Sequence, residues 1–320
     1  MSTMSFSQNI IVKTIVHRIK ETVMRFRYYK LSFCRKNRQQ FYIAVFDEKR
    51  TGFGLADRLN GIISLYAFCK IKNIPFRCTF TYPFDLSLYL EPSLYDWKLK
   101  NGEKSQFTSD VRILIVQGEG NGNRLLGLKT KKQVHAYLNR NYLPVYQKKL
   151  NASLDWRELF HELFKPTEKL NAQINDHLNR INSNYIACQF RFLSFLGDFK
   201  EYNLLPLSSG EQQDLIKTCT EALCSLRKKH DLPILVTSDS STFLSHVSGL
   251  ENIFTIPGKV IHIDCTHDAA EEVCMKPFVD FMMLSKASKI YNVVAGPMYP
   301  SSFPLYAAKI NNVPFERIVI

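Results

Sequence analysis

Between residues 185 and 320 short runs of β-favouring apolar residues alternate with helical patterns, and that alternation constrains the fold more than any other feature of the chain. The runs are Tyr185 onward (YIACQF), Pro233 to Thr237 (PILVT), Ile253, Val260 to Ile263, Lys289 to Val294 and a short one at Ile318. Helical patterns lie between them at about Gly210 to Lys229 and Ala269 to Ala287. Strands separated by helices predict a parallel sheet, whose ligands bind outside the carboxyl ends of the strands.

Three polar clusters fall at such ends. Arg191 stands just past the first run, in YIACQFRFLSFLGD. An always-charged guanidinium with five donors suits a two-pronged grip on a diphosphate or carboxylate; an ordinary solvated arginine or ion-pair partner is the plainer reading. Ser238 and Asp239 follow PILVT, where capping the next helix would explain both without any function. After Val294 comes Gly296 to Lys309, in which Ser301 or Ser302 would cap a helix that tolerates Pro304 in its first turn. The unpaired N–H groups of that helix start would attract an anion.

The earlier part of the chain reads less plainly. A strand at Phe41 to Phe46 precedes Arg50-Thr-Gly-Phe-Gly-Leu-Ala-Asp-Arg58, from which a helix runs through Ile62 to Ile71. Gly52 and Gly54 would let backbone N–H groups approach a ligand, or would merely relieve strain in a βα turn. The third glycine and the later acidic residue of a dinucleotide fingerprint are missing. The aromatic residues of Pro75 to Trp97 read as filling an irregular core, with sugar stacking as the alternative. A strand at Val111 to Gln117 ends in Gly118-Glu-Gly-Asn-Gly-Asn123, an acceptor-site loop or a solvent-exposed linker. Helical patterns are expected to fill 130 to 182, broken at Pro166, and the first domain to close there.

The first 40 residues hold nine Lys or Arg against Glu21 alone, so +8 of the net +13 lies in this tail and the other 280 residues carry only +5. The body is therefore not a nucleic-acid-like surface, and no nucleic acid is expected as a partner. Val12, Val16, Ile19, Val23 and Phe26 form one apolar stripe at helical spacing, with basic residues on the other faces. This is the pattern of a helix lying on an anionic membrane surface through residues 10–38; a helix packed on its own protein, or a disordered tail, gives the same pattern. Eight scattered cysteines without a Cys-x-x-Cys read as reduced thiols of a cytoplasmic protein. No apolar run reaches the roughly 18 residues of a membrane span, and no signal peptide is recognisable. A peripheral position on the inner face of a membrane is the resulting expectation. The three segments are thus a basic amphipathic stretch (1–40), an acceptor-side α/β domain (41–182) and a donor domain (183–320).

A nucleotide-sugar transferase must stabilise a departing diphosphate, with a divalent metal or with fixed positive groups. No Asp-x-Asp occurs in the chain, which leaves Arg191 as the candidate and no metal site expected. His262, Asp264, Cys265 and His267 lie close in sequence but lack a second ligand pair. For the base that takes the acceptor's proton, Asp57 is the candidate and Glu119 the reserve; a helix dipole would also account for Asp57.

Gly52-Phe53-Gly54 ahead of a helix, Gln189-Phe-Arg191 with Gly197-Asp198 beyond it, Thr237-Ser-Asp239, and Ser301-Ser302-Phe303 ahead of Ala307-Ala308 resemble the fucosyltransferase superfamily over residues 41–320, nearest to its bacterial nodulation-type and protein O-fucosyltransferase-type members. The resemblance implies a GT-B architecture, two Rossmann-like α/β domains facing a central cleft. It also implies inverting, metal-independent transfer of fucose from GDP-fucose to a hydroxyl of a glycan or lipid-linked oligosaccharide, with no cofactor. Arg191 would match the arginine of the family's His-x-Arg motif. Gly52, Phe53, Gly54, Arg58, Gln189, Asp239, Ser301, Ser302 and Phe303 would line the donor. The chain departs from the family at Gln189, which replaces the motif's histidine, at the later Gly197-Asp198 pair, and at Asp57 and Arg58. A sugar-nucleotide-binding protein that lost catalysis, or a nucleic-acid-binding protein acting through the basic tail, would be the alternatives.

Overall fold

The structure is a computed structural model that describes residues 6–36, 39–49, 53–118, 120–199, 204–260 and 271–320. Gly52, Glu119 and the cluster His262, Asp264, Cys265 and His267 lie outside the described residues, as does most of the strand expected at Val260 to Ile263. The chain divides into two units, Met1–Leu86 with Pro92–Lys165, and Ser87–Glu91 with Pro166–Ile320.

The first unit contains α1 (Phe6–Tyr28), β1 (Tyr42–Phe46), α2 (Leu55–Lys72), β2 (Phe76–Phe80), β4 (Val111–Val116), α3 (Asn123–Leu126), β5 (Gln133–Leu138), α4 (Leu143–Leu150) and α5 (Trp156–Leu163). Two short strands, β3 (Leu90–Pro92) and β6 (Phe164–Pro166), lie where the chain passes from one unit to the other. The unit's sheet has the order β2-β1-β5-β4 with every pair parallel. A parallel sheet is covered on both faces, which is why β1, YIAVF, is apolar and buried at every position. Helix α2 lies close on β5: a Cβ at Gly61 would come within 2.5 Å of the Leu138 carbonyl oxygen, so only glycine allows the approach.

Strand β5 corrects the helical filling expected over 130–182. All six residues of Gln133–Leu138 are buried between β1 and β4. Gln133 and His135 are polar and break the apolar run, but each has its partners inside: the Gln133 Oε1 accepts from Ser105 N at 2.9 Å, and a His135 nitrogen lies 2.6 Å from the Tyr29 hydroxyl. Pairing on both edges outweighs the weak local preference of this segment. In the aromatic segment, Phe76 and Phe80 belong to β2, and with Phe84, Tyr89 and Trp97 they are buried.

The second unit contains α6 (Glu168–Arg180), β7 (Ile186–Phe190), α7 (Ser209–Lys229), β8 (Ile234–Ser238), α8 (Ser241–Val247), β9 (Ile253–Thr255), α9 (Glu271–Leu284), β10 (Lys289–Val294), α10 (Phe303–Asn311) and β11 (Phe315–Val319). Its parallel sheet has the order β11-β10-β7-β8-β9. One face packs Cys188, Phe190, Val236 and Val293 against Leu215, Cys219 and Leu223 of α7 and Phe243 and Val247 of α8. Each of the valine, leucine and phenylalanine side chains among these stabilises the unit by about 1.5–3 kcal/mol. The chain runs β7, β8, β9 to one side, then returns to β10 on the other side of β7. The loops after β7 and β10 therefore leave neighbouring strands in opposite directions, the switch point where open α/β sheets bind ligands.

Candidate functional site

Arg191 follows β7 directly and so stands at that switch point. Its Nε lies 3.2 Å from Oδ2 of Asp239, and its side chain is only 16% exposed. Asp239 follows β8, the neighbouring strand, and is itself buried. The two carboxylate oxygens of Asp239 also accept the backbone N–H groups of Phe192 and Leu193, at 2.7 and 2.9 Å. Leu193 has a φ of 56°, a left-handed conformation that costs a branched side chain on the order of 1–2 kcal/mol. The carboxylate thus holds both the guanidinium and a strained turn behind it. Burial pushes the Asp239 carboxyl above its ordinary range, while Arg191 and the two N–H donors pull it back.

The helix-capping alternative for Asp239 does not hold, because α8 is capped by Ser240, whose hydroxyl accepts from Phe243 N at 3.0 Å. Asp198 ties the loop after Arg191 to the same helix start. It accepts from the Ser240 and Ser241 hydroxyls at 2.5 and 2.8 Å and from Thr242 N and Oγ1 at 3.0 and 2.9 Å.

The loop after β10 returns to Arg191: the Tyr299 N–H donates to the Arg191 carbonyl at 3.4 Å. Ser302 occupies the N-cap position of α10 but makes no capping bond, and the Ser301 hydroxyl accepts from Phe303 N instead, at 3.2 Å. Phe303 packs on Phe281 of α9 with ring centroids 5.0 Å apart. Arg191, Asp239, Ser301 and Ser302 therefore share the carboxyl edge of one sheet.

Beneath them runs a polar row that the sequence reading missed. Thr237, Gln189, Asn292 and Arg317 stand side by side in register on β8, β7, β10 and β11. The Asn292 amide donates to Gln189 Oε1 at 2.8 Å, and its own oxygen accepts from Arg317 Nε at 3.0 Å. Arg317 Nη2 donates to the Ser301 carbonyl at 3.2 Å, so the edge strand is linked to the loop that opens α10. Gln189 is buried and directed into this row. The signal available beforehand was Asn292, one polar residue inside the otherwise apolar run IYNVV.

In the first unit, Phe53, Gly54, Asp57 and Arg58 cluster at the start of α2, past the carboxyl end of β1. Gly54 has φ −66° and ψ 168°, and a Cβ there would meet no atom. Neither strain nor internal packing demands this glycine. Arg58 is turned inward: at 2% exposure it donates to the carbonyls of Phe53 (2.7 Å) and Tyr82 (2.5 Å) and lies over the Phe80 ring. It ties the loop before α2 to the segment after β2. Among the described residues no group of three His, Cys, Asp or Glu side chains could hold a metal ion, and no helix is long and apolar enough to cross a membrane.

No protein-family model matches the chain, and no curated protein matches it. Solved structures do. A point mutant of Arabidopsis thaliana FUT1 in complex with GDP superposes with a TM-score of 0.54 at 13% identity, over 93% of this chain and 74% of its own. NodZ α-1,6-fucosyltransferase soaked with GDP-fucose gives 0.50 at 13% identity, over 85% and 92%. Fucosyltransferase NodZ from Bradyrhizobium gives 0.50 at 11% identity over the same shares. The chain has the fold of these proteins, GT-B, with two Rossmann-like α/β units.

Proposed function

We propose that the protein is an inverting glycosyltransferase that transfers fucose from GDP-fucose to a hydroxyl of a glycan or lipid-linked oligosaccharide. The observation that carries this reading is Arg191, braced by a buried carboxylate at the switch point of a sheet whose fold is shared with GDP-bound and GDP-fucose-soaked proteins. In the transfer, the acceptor oxygen bonds to the anomeric carbon as that carbon's bond to the diphosphate oxygen breaks. The electron pair leaves with GDP. Arg191 neutralises the charge that develops there, and bracing by Asp239 means that little reorganisation is needed at that moment. Ser301, Ser302 and the N–H groups opening α10 complete the donor contacts. Asp57, at the edge of the first unit's own sheet, is the candidate that takes the acceptor's proton.

A panel of nucleotide sugars tests the donor by turnover and thermal shift. GDP-fucose is expected to be turned over, and to remain so in the presence of a chelator. Preference for a UDP- or CMP-sugar removes the fucose assignment.

Gln189 favours a second reading, a donor-binding protein without transfer, because its amide is committed to Asn292 where the family motif has an ionisable ring. Slow hydrolysis of GDP-fucose that disappears in Arg191→Ala speaks against that alternative.

A further inference from the structure

Helix α1 packs on the first unit through the face opposite its apolar stripe. The contact side is Met24, buried with Val45, Ile113 and Tyr137, together with Glu21, which is 4% exposed. Glu21 accepts from Ile115 N at 2.7 Å and pairs with Arg124 at 2.7 Å. With 3.6 residues per turn, Val12, Val16, Ile19, Val23 and Phe26 fall within an arc of about 80°, and Glu21 lies diametrically across from it. All five are exposed, Ile19 at 58% and Phe26 at 60%, and Phe33 just beyond the helix is 91% exposed.

We propose that this exposed apolar stripe and the basic residues beside it dock the protein on an anionic lipid surface. Charge selects the occupant. Arg18 lies on one flank of the stripe and Lys20 and Arg27 on the other, all exposed, and Lys30, Arg35 and Lys36 continue past the helix. Glu21, the one carboxylate of the first 40 residues, is turned inward and already paired. A second copy laid on this face would bring like charges together along its whole length. Lipid headgroups of negative charge pair with the flanks while the acyl boundary takes the stripe. This docking face is independent of which sugar is transferred.

The test is sedimentation of the full chain with vesicles of phosphatidylcholine alone and with phosphatidylserine added. At least about tenfold more protein is expected on the anionic vesicles, weakening as salt rises from about 0.1 to about 0.5 M. Val23→Ser with Phe26→Ser is expected to remove that retention without changing the thermal melt, since both side chains are exposed. Equal retention on neutral vesicles, no retention at all, or full retention by the double variant overturns the proposal. So does a concentration-dependent dimer, or RNA binding, that the double variant loses in place of vesicle binding.

Discussion

Asp239 holds Arg191 through the guanidinium Nε, at 3.2 Å, and through the two peptide N–H groups that follow it in the chain. One buried carboxylate therefore sets both the direction of the cation and the turn on which it stands.

Arg191→Ala is expected to lower kcat on GDP-fucose by about 10² to 10³, the usual cost of removing one group that stabilises developing negative charge. Arg191→Lys should lose most of this as well, because an ammonium has no Nε to rest on Asp239 while another donor meets the diphosphate. Steady-state rates alongside unchanged circular dichroism check the assignment.

Asp239→Ala should destabilise the second unit by about 3 kcal/mol, since it takes the carboxylate from a largely buried cation and the acceptor from two buried N–H groups. Asp239→Asn keeps one acceptor oxygen and should cost less. Urea melts of the two variants give the comparison.

Arg317 reaches the carboxyl edge of its sheet through Asn292 and the carbonyls of Pro300 and Ser301. It is a positioning residue, and Arg317→Met is expected to raise KM for the donor about three- to tenfold with little change in kcat. A loss confined to kcat would instead place Arg317 against the reacting atoms.

His135 is buried in β5, and burial holds its ring well below the ordinary histidine range, with Lys104 and Lys49 adding to the effect. The folded state keeps the ring neutral while the unfolded chain binds a proton, so stability rises with pH in this window. It should fall as pH drops below about 6.5, at up to about 1.4 kcal/mol per pH unit for this one group. Melts at about pH 7.5 and 5.5, repeated with His135→Gln, should show a shallower dependence in the variant.

Glu21→Ala leaves the largely buried Arg124 without its carboxylate and should weaken the attachment of α1 by about 3 kcal/mol. Hydrogen exchange across α1 is expected to accelerate before that of β1 or β5.

Much of the second unit was legible because its signals are local. Ile234–Ser238 and Lys289–Val294 are short apolar runs between helical patterns, and Arg191 sits at the end of such a run. The first unit was less legible. Strand β5 carries Gln133 and His135 in its interior, and their partners Ser105 and Tyr29 lie 28 and 106 residues away. No window of neighbouring residues contains that information. The same holds for the row through Asn292 and Arg317, which exists only once β7, β10 and β11 are laid in register.

Helix α1 shows the division most plainly. Its period and its charge are properties of consecutive residues, so the sequence alone determined that a helix formed there would be basic with one apolar stripe. Which side of it meets the protein was decided only in three dimensions. Glu21 finds Arg124 a hundred and three residues on, and a carboxylate with such a partner can be buried while five apolar side chains are left outside. At the carboxyl edge of the second unit's sheet the division is the same: the chain order placed a cation at a strand end, and the sheet's register chose Asp239 to hold it.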